Sequence, residues 1–293
     1  MQIFNRTRAP LRRSDTVRVV AVALCGGAIA PVLLAWGLSS AGATIGSLLL
    51  NLEAVFTVLL ARALFREPIG RRVALAVVAM VAGGSALVLD ATRGSEWALL
   101  GVLAVTGATL AWAVDNALTR PLAERDPLAV IAAKGALGAA LTTTAALIAR
   151  EPAPPLGPAL ALLACGATGY GVSLRLYLLA QRRIGAGRTG SVFALAPFVG
   201  AALAIALGDR IPGPLTAVAA ALFGFGVYLH ATEHHEHRHR HERLDHDHMH
   251  RHDDGHHDHV HDPPFHGEHS HPHHHDPIEH DHAHAPDIHH THH

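Results

Sequence analysis

The chain has 293 residues, 49% of them hydrophobic and 16% charged, with a mean hydropathy of +0.23 and a formal net charge of −1. That near-neutral sum joins two opposite pieces: 19 Lys/Arg against 10 Asp/Glu through Leu229, then 4 against 14 from His230 onward, where all 27 histidines lie. A nucleic-acid-binding module is excluded because the basic residues stand singly between apolar runs, and a disulfide-stabilised secreted domain because Cys25 and Cys165 both sit inside such runs.

Residues 1–16 form a short basic N-terminal segment. Eight apolar stretches of about 18–22 residues follow, each long enough to cross about 30 Å of hydrocarbon as a helix. They fall near 17–38, 43–64, 73–90, 97–118, 128–149, 158–180, 189–207 and 214–230. None shows the single polar face of a soluble core helix, and Gly and Ala are abundant, as where helices approach closely in lipid. The fold class is therefore an all-α polytopic membrane protein of about eight transmembrane helices, followed by a disordered tail over 232–293.

The short loops set the orientation. On the side of the N-terminus stand Arg6, Arg8, Arg12, Arg13, Arg18, Arg62, Arg66, Arg71, Arg72, Arg120, Arg125, Arg182, Arg183 and Arg188, against Arg93, Arg150 and Arg210 on the other. Fourteen against three predicts a multi-pass protein of the inner (plasma) membrane with both termini, and so the tail, in the cytoplasm. A cleaved signal peptide fits poorly, since the first apolar run is span-length and leads into a polytopic pattern.

Two segments echo each other. Leu24-Cys25-Gly26-Gly27 aligns with Ala164-Cys165-Gly166-Ala167, Gly42 to Ser47 with Ala186 to Ser191, and Arg66-Glu67-Pro68 with Arg210-Ile211-Pro212. Five spans separate the copies. An odd number gives them opposite topology, and inverted repeats are a recurring architecture of secondary transporters. The repeats are taken as 17–90, with three helices, and 97–231, with five.

Polar residues at membrane depth are costly and mark candidate sites. Glu53 lies almost at the centre of its span, as a proton-coupling or cation-coordinating carboxylate or as a hydrogen-bonded contact between helices. Asn51 stands about 200° away round the helix, off that face. Trp112, Asp115 and Asn116 share one helical face by i,i+3 and i,i+4 spacing, as cavity lining or as ordinary interfacial polar groups. Lys134 and Arg175 lie one or two turns from the cytoplasmic face, where they either snorkel or pair with Glu53 or an anionic substrate. Trp36 and Trp97 read as outer-interface anchors. The chain carries no phosphate-cradling loop ending in Lys-Ser/Thr and no histidine within its spans before His230 at the end of the last, so an enzyme is not expected.

The tail is His, Asp, Glu, Arg and Pro with scattered Gly, too polar to bury a core. Histidines recur at alternate positions: His234, His235, His237, His239 and His241, then His246, His248, His250 and His252, then His256, His257, His259 and His261. Imidazoles interleaved with carboxylates are good ligands for Zn, Ni, Co or Cu. No cofactor is required by anything in the spans.

Gly46-Ser47-Leu48-Leu49-Leu50-Asn51-Leu52-Glu53, running on through Leu64-Phe65-Arg66-Glu67-Pro68, resembles the EamA domain of the drug/metabolite transporter superfamily. So do Trp112-Ala113-Val114-Asp115-Asn116 with Arg120, and Ala194-Leu195-Ala196-Pro197. The resemblance covers about residues 17–230 and implies ten spans in two inverted five-helix repeats. It thus implies that two opening spans are absent from the first repeat, either by truncation or because a homodimer or partner subunit completes the cavity. The resulting expectation is a secondary transporter working by alternating access. Its substrate is a divalent metal ion or metal complex, with the tail as buffer or sensor, or else a small organic metabolite or amino acid, with the tail regulatory or incidental. A membrane-tethered metal-binding protein without transport is the third reading. The partners expected are the bilayer and the substrate.

Overall fold

The computed structural model describes residues 11–93, 95–122, 125–173, 175–176, 179–180, 186–209 and 213–232, and in the tail 238–240, 244–250, 269–275 and 279–281. The chain separates into two units, Met1–Glu233 and His234–His293.

In the first unit the apolar runs become helices because only intra-segment hydrogen bonds satisfy the backbone in hydrocarbon. The first span is α1 (Thr16–Val22), a π-helical turn (Ala23–Ile29) and α2 (Ala30–Ala41). The second is α3 (Ala43–Leu49) and α4 (Leu52–Phe65), and α5 (Arg71–Thr92), α6 (Glu96–Thr119) and α7 (Pro127–Ile148) follow. The sixth holds α8 (Leu156–Gly166) and a second π-helical turn (Ala167–Val172), the seventh α9 (Ala186–Phe193) and α10 (Ala196–Ala206), and the last is α11 (Pro214–Ala231). Among the described residues six segments are long and apolar enough to cross a membrane: Arg13–Ala41, Ala43–Phe65, Arg71–Thr92, Glu96–Leu122, Leu128–Ile148 and Pro214–Ala231. The stretches expected at 158–180 and 189–207 carry shorter apolar helices, Leu156–Gly169 and Ala196–Ala206.

The second and seventh spans break at corresponding places. Gly46-Ser47 aligns with Gly190-Ser191, and the same offset carries the turn at Leu50–Asn51 onto the turn at Ala194–Leu195. At the first, Leu50 N–H donates to Ser47 O at 3.2 Å, Asn51 N–H to Leu48 O at 3.2 Å and Glu53 N–H to Leu50 O at 3.1 Å, a tightened i→i−3 pattern. Asn51 Nδ2 also donates to Leu48 O at 2.8 Å. At the second, Leu195 N–H reaches Val192 O at 3.1 Å and Phe198 N–H reaches Leu195 O at 3.0 Å, while Pro197 has no N–H with which to continue the ladder. A π-helical turn also follows or includes each Cys-Gly segment.

The core gathers around the broken second span. Leu48, Leu49, Leu52 and Val55 from the broken second span meet Met80 and Leu87 of α5, Val102 and Val105 of α6, Ala201 of α10 and Phe223 of α11. Glycines set the closest approaches. A Cβ on Gly37 would stand 2.6 Å from Val105 Cγ2 and 2.9 Å from Gly101 O, and one on Gly226 would stand 2.6 Å from Met80 Cγ. The outer surface is studded with exposed Leu, Val, Ile and Phe, as lipid-facing helices require, and Trp36 and Trp97 are among them.

Cross-segment polar contacts give an internal check of the span alternation. Asp15–Arg125 at 2.8 Å, Glu67–Arg120 at 2.5 Å and Arg72 Nη1 to Thr232 O at 3.2 Å join ends that eight spans put on the N-terminal face. Thr44–Asp209 and Asp90–Thr216 join ends on the opposite face.

In the second unit Arg238–Arg240 pairs antiparallel with Glu279–Asp281, and Leu244–His250 with His269–His275. Leu244 and Met249 are the only large aliphatic residues in these stretches. Two-stranded pairs of that composition have no core to bury and are marginal in water, in keeping with the composition of the tail.

Because α2 and α6 cross at Gly37 and Gly101, Gly37→Val is expected to overpack the crossing and cost about 1–3 kcal/mol. Thermal unfolding of the detergent-solubilised protein checks this; an unchanged midpoint would show that the helices are not in contact there.

Candidate functional site

The break in the second span places Glu53 in the first turn of α4, facing α6. Asn116 Nδ2 of α6 donates to Glu53 Oε1 at 2.8 Å. One residue earlier, Asp115 is 3% exposed; Lys134 Nζ of α7 donates to its Oδ2, and Thr119 Oγ1 lies 3.5 Å from its Oδ1. Adjacent residues of one helix thus hold one carboxylate, Glu53, by an amide, and supply a second, Asp115, to an ammonium group. At membrane depth such groups persist only when they satisfy one another.

The first span makes room for this pair. A Cβ on Gly26 would overlap Asp115 Oδ2 and lie 2.8 Å from Lys134 Nζ. Gly27 and Gly138 let the π-helical turn and α7 touch, since a Cβ on Gly138 would come 2.6 Å from Gly27 O. Trp112 Nε1 donates to Gly26 O at 3.3 Å, fixing α6 against a carbonyl that the wider turn offers. π-turns inside α-helices are frequent at functional sites.

The structure therefore brings together Glu53, Trp112, Asp115, Asn116 and Lys134. Lys134 is bonded to Asp115 rather than to Glu53. Asn51 is buried and faces back to Leu48, where it repairs the break instead of joining the cluster. Arg175 lies exposed on the sixth span. Of the tail positions expected to bind metal, His239, His246, His248 and His250 are described by their backbone alone. His234, His235, His237, His241, His252, His256, His257, His259 and His261 lie outside the described residues. Gly26, Gly27 and Gly138 were not singled out by chemistry; the repeat around Cys25 was the only signal that pointed to the first two.

At the edge of the same helices on the N-terminal face, Arg120 stacks over the Phe65 ring at 4.4 Å while holding Glu67. Arg66 caps α4 in the left-handed conformation with φ 58°, and Arg62 Nη1 donates to its carbonyl at 3.2 Å. A separate apolar cleft of about 390 Å³ opens between the sixth span and α9, lined by Thr168, Ser173, Leu176, Thr189, Val192 and Phe193 among others.

The chain matches the EamA-like transporter family over residues 2–89 and again over 99–232. An uncharacterized transporter of Methanothermobacter thermautotrophicus is 29% identical over 208 residues, covering 68% of this chain and 60% of that protein. The chain thus spans about three-fifths of the length of this relative. A solved crystal structure, 20% identical, superposes with a TM-score of 0.50 over 76% of this chain and 77% of the other, which is a likeness of fold.

Removing one member of the buried pair leaves an uncompensated charge. Lys134→Met is therefore expected to destabilise the protein by about 3–5 kcal/mol, and Lys134→Met with Asp115→Leu to recover most of the loss. Chemical or thermal unfolding of both variants in detergent decides it; equal losses in the single and double variants would show that the pair is not coupled.

Proposed function

The chain belongs to the EamA-like transporter family, and from that premise we propose that it is a secondary transporter in which the Glu53–Asn116 and Asp115–Lys134 cluster is the coupling and solute-binding site. The observation that carries this reading is the position of the cluster: it abuts a helix break that recurs at the corresponding place in the other repeat. Paired broken helices at the repeat interface are where such proteins bind their cargo. Rocking of one repeat against the other alternates access to the cluster.

Its groups favour a small polar organic solute. An amide-held carboxylate, an ion pair and an indole offer donors and acceptors of both signs within one helical turn, suited to a solute that carries both an amine and an acidic or amide group. Glu53 then exchanges a proton or cation as the solute arrives, which couples flux to a gradient. The positive charge count supports an N-terminal face in the cytoplasm, with the plasma membrane as the corresponding location.

A second reading rests on a different observation, the 27 histidines of the tail. In it the tail binds Zn, Ni, Co or Cu and delivers or senses the ion, whether or not the spans move it. A homodimer or a partner subunit fits either reading.

Reconstituted liposomes separate the two. Uptake of a panel of radiolabelled amino acids and small amines, beside zinc, nickel and cobalt ions, is compared for the intact protein, a protein lacking residues 232–293, and Glu53→Gln. The expected result is at least a tenfold loss of organic-solute flux in Glu53→Gln with little change on tail removal. Metal flux that falls on tail removal, with no organic solute responding, would replace the first reading by the second. Metal that binds to saturation without crossing the bilayer would indicate a tethered store.

A further inference from the structure

In the tail, spacing and register act together. Histidines at every second position share one face of a strand, but two such strands form a common face only where the pairing sets histidine against histidine. A slip of one residue would carry one set to the other side. Between Leu244–His250 and His269–His275 the pairing does set them together: His246 stands opposite His273, His248 opposite His271 and His250 opposite His269. These are three successive rungs of one face. The rungs between them, on the other face, pair Asp247 with Pro272 and Met249 with Ser270.

The register has physical causes in the sequence. Pro272 has no N–H, so it fits the ladder only at a rung whose backbone groups turn away from the partner strand. The histidine rungs on either side are then the hydrogen-bonded ones, with Cα atoms about 5.5 Å apart. The outer ladder sets Arg238 opposite Asp281 and Arg240 opposite Glu279, pairs of unlike charge that favour the same alignment. Three residues on each strand, 241–243 and 276–278, separate the two ladders, so both keep one register.

Along each strand successive histidines of the face stand about 7 Å apart. Two neighbouring rungs therefore bring four histidine positions into a patch of about 5.5 by 7 Å. Four imidazoles complete the tetrahedral shell of zinc, and imidazole suits nickel and copper as well. A two-stranded pair with so few apolar residues is marginal in water, so an ion that binds the paired strands and not the separated ones supplies folding energy.

We propose that the histidine face of this ladder is a divalent transition-metal site, zinc being held by two neighbouring rungs, and that uptake of the ion is what joins the two strands of the tail. His269, His271 and His273 were not among the metal ligands expected from the sequence; they enter through register. The site rests on the second reading above only in that the tail takes up metal, and what the spans carry does not bear on it.

The full-length protein in detergent is titrated with zinc beside a variant that exchanges neighbours on both strands: His248→Met with Met249→His, and Ser270→His with His271→Ser. Composition and histidine count are unchanged, but the middle rung leaves the face. Hydrogen exchange at the backbone amides is followed before and after one equivalent of zinc. In the intact protein, exchange over 244–250 and 269–275 is expected to slow about tenfold or more, with less change over 252–261, a stretch as rich in histidine. In the exchanged variant the slowing is lost and the affinity for the first zinc ion falls about tenfold. Equal affinity and equal slowing in both forms, or slowing spread evenly along the tail, overturns the ladder site while the tail's uptake of metal stands. Equal zinc uptake with and without residues 232–293 overturns both.

Discussion

Hydrocarbon offers the backbone no hydrogen bonds, and nearly every irregular feature of this protein is an answer to that constraint. A helix can break inside a bilayer only where the freed groups find partners within the protein. At Leu50–Asn51 they do so through tightened turns and the Asn51 amide. Helix starts at the membrane edge face a milder form of the same demand, met at α3 by Asp209, which accepts from Thr44 N. The bond at Thr44 also ties the second span to the turn that follows the seventh.

The same constraint explains why the ionisable residues congregate. Asp115 and Lys134 sit one helical turn and about 10 Å, respectively, from the ends of their helices, and neither is isolated from the other. Gly26 lets the π-helical turn come close enough to wall them in. Glu53 is tied to Asn116, the residue next to Asp115, by a bond on a more exposed part of α6. A change of charge or hydrogen bonding on one member is felt by the others over a few ångströms of low-dielectric medium, which is what a coupling site has to provide.

The helical membrane spans, and the residues that the fold gathers around Asp115, were legible in the sequence for a physical reason. Hydrophobic length and residue spacing are local properties, so Trp112, Asp115 and Asn116 could be put on one face and Glu53 at mid-span without knowing what they touch. Which partner Lys134 takes depends on how α6 and α7 are rotated, and spacing within one helix does not encode that. Asp90 and Asp209 were not singled out by sequence, because their partners lie 126 and 165 residues away. The interruptions at Leu50 and Ala194 were hidden in unbroken apolar runs. Polar spacing at 51 and 53 placed those two residues on different faces, and the break gives them different tasks.

The glycines of the two Cys-Gly segments now live under unequal constraint. Gly26 has a carboxylate where its side chain would go, whereas Gly166, Gly169 and Gly171 have open space among the described residues. Duplicated elements begin with identical tolerance for change. Here one copy has been committed to enclosing charge, and its freedom to drift is gone, while the other can still accept side chains that reshape the wall of the cleft. Side chains introduced there would leave the Asp115–Lys134 pair untouched, since none of those glycines lies against it.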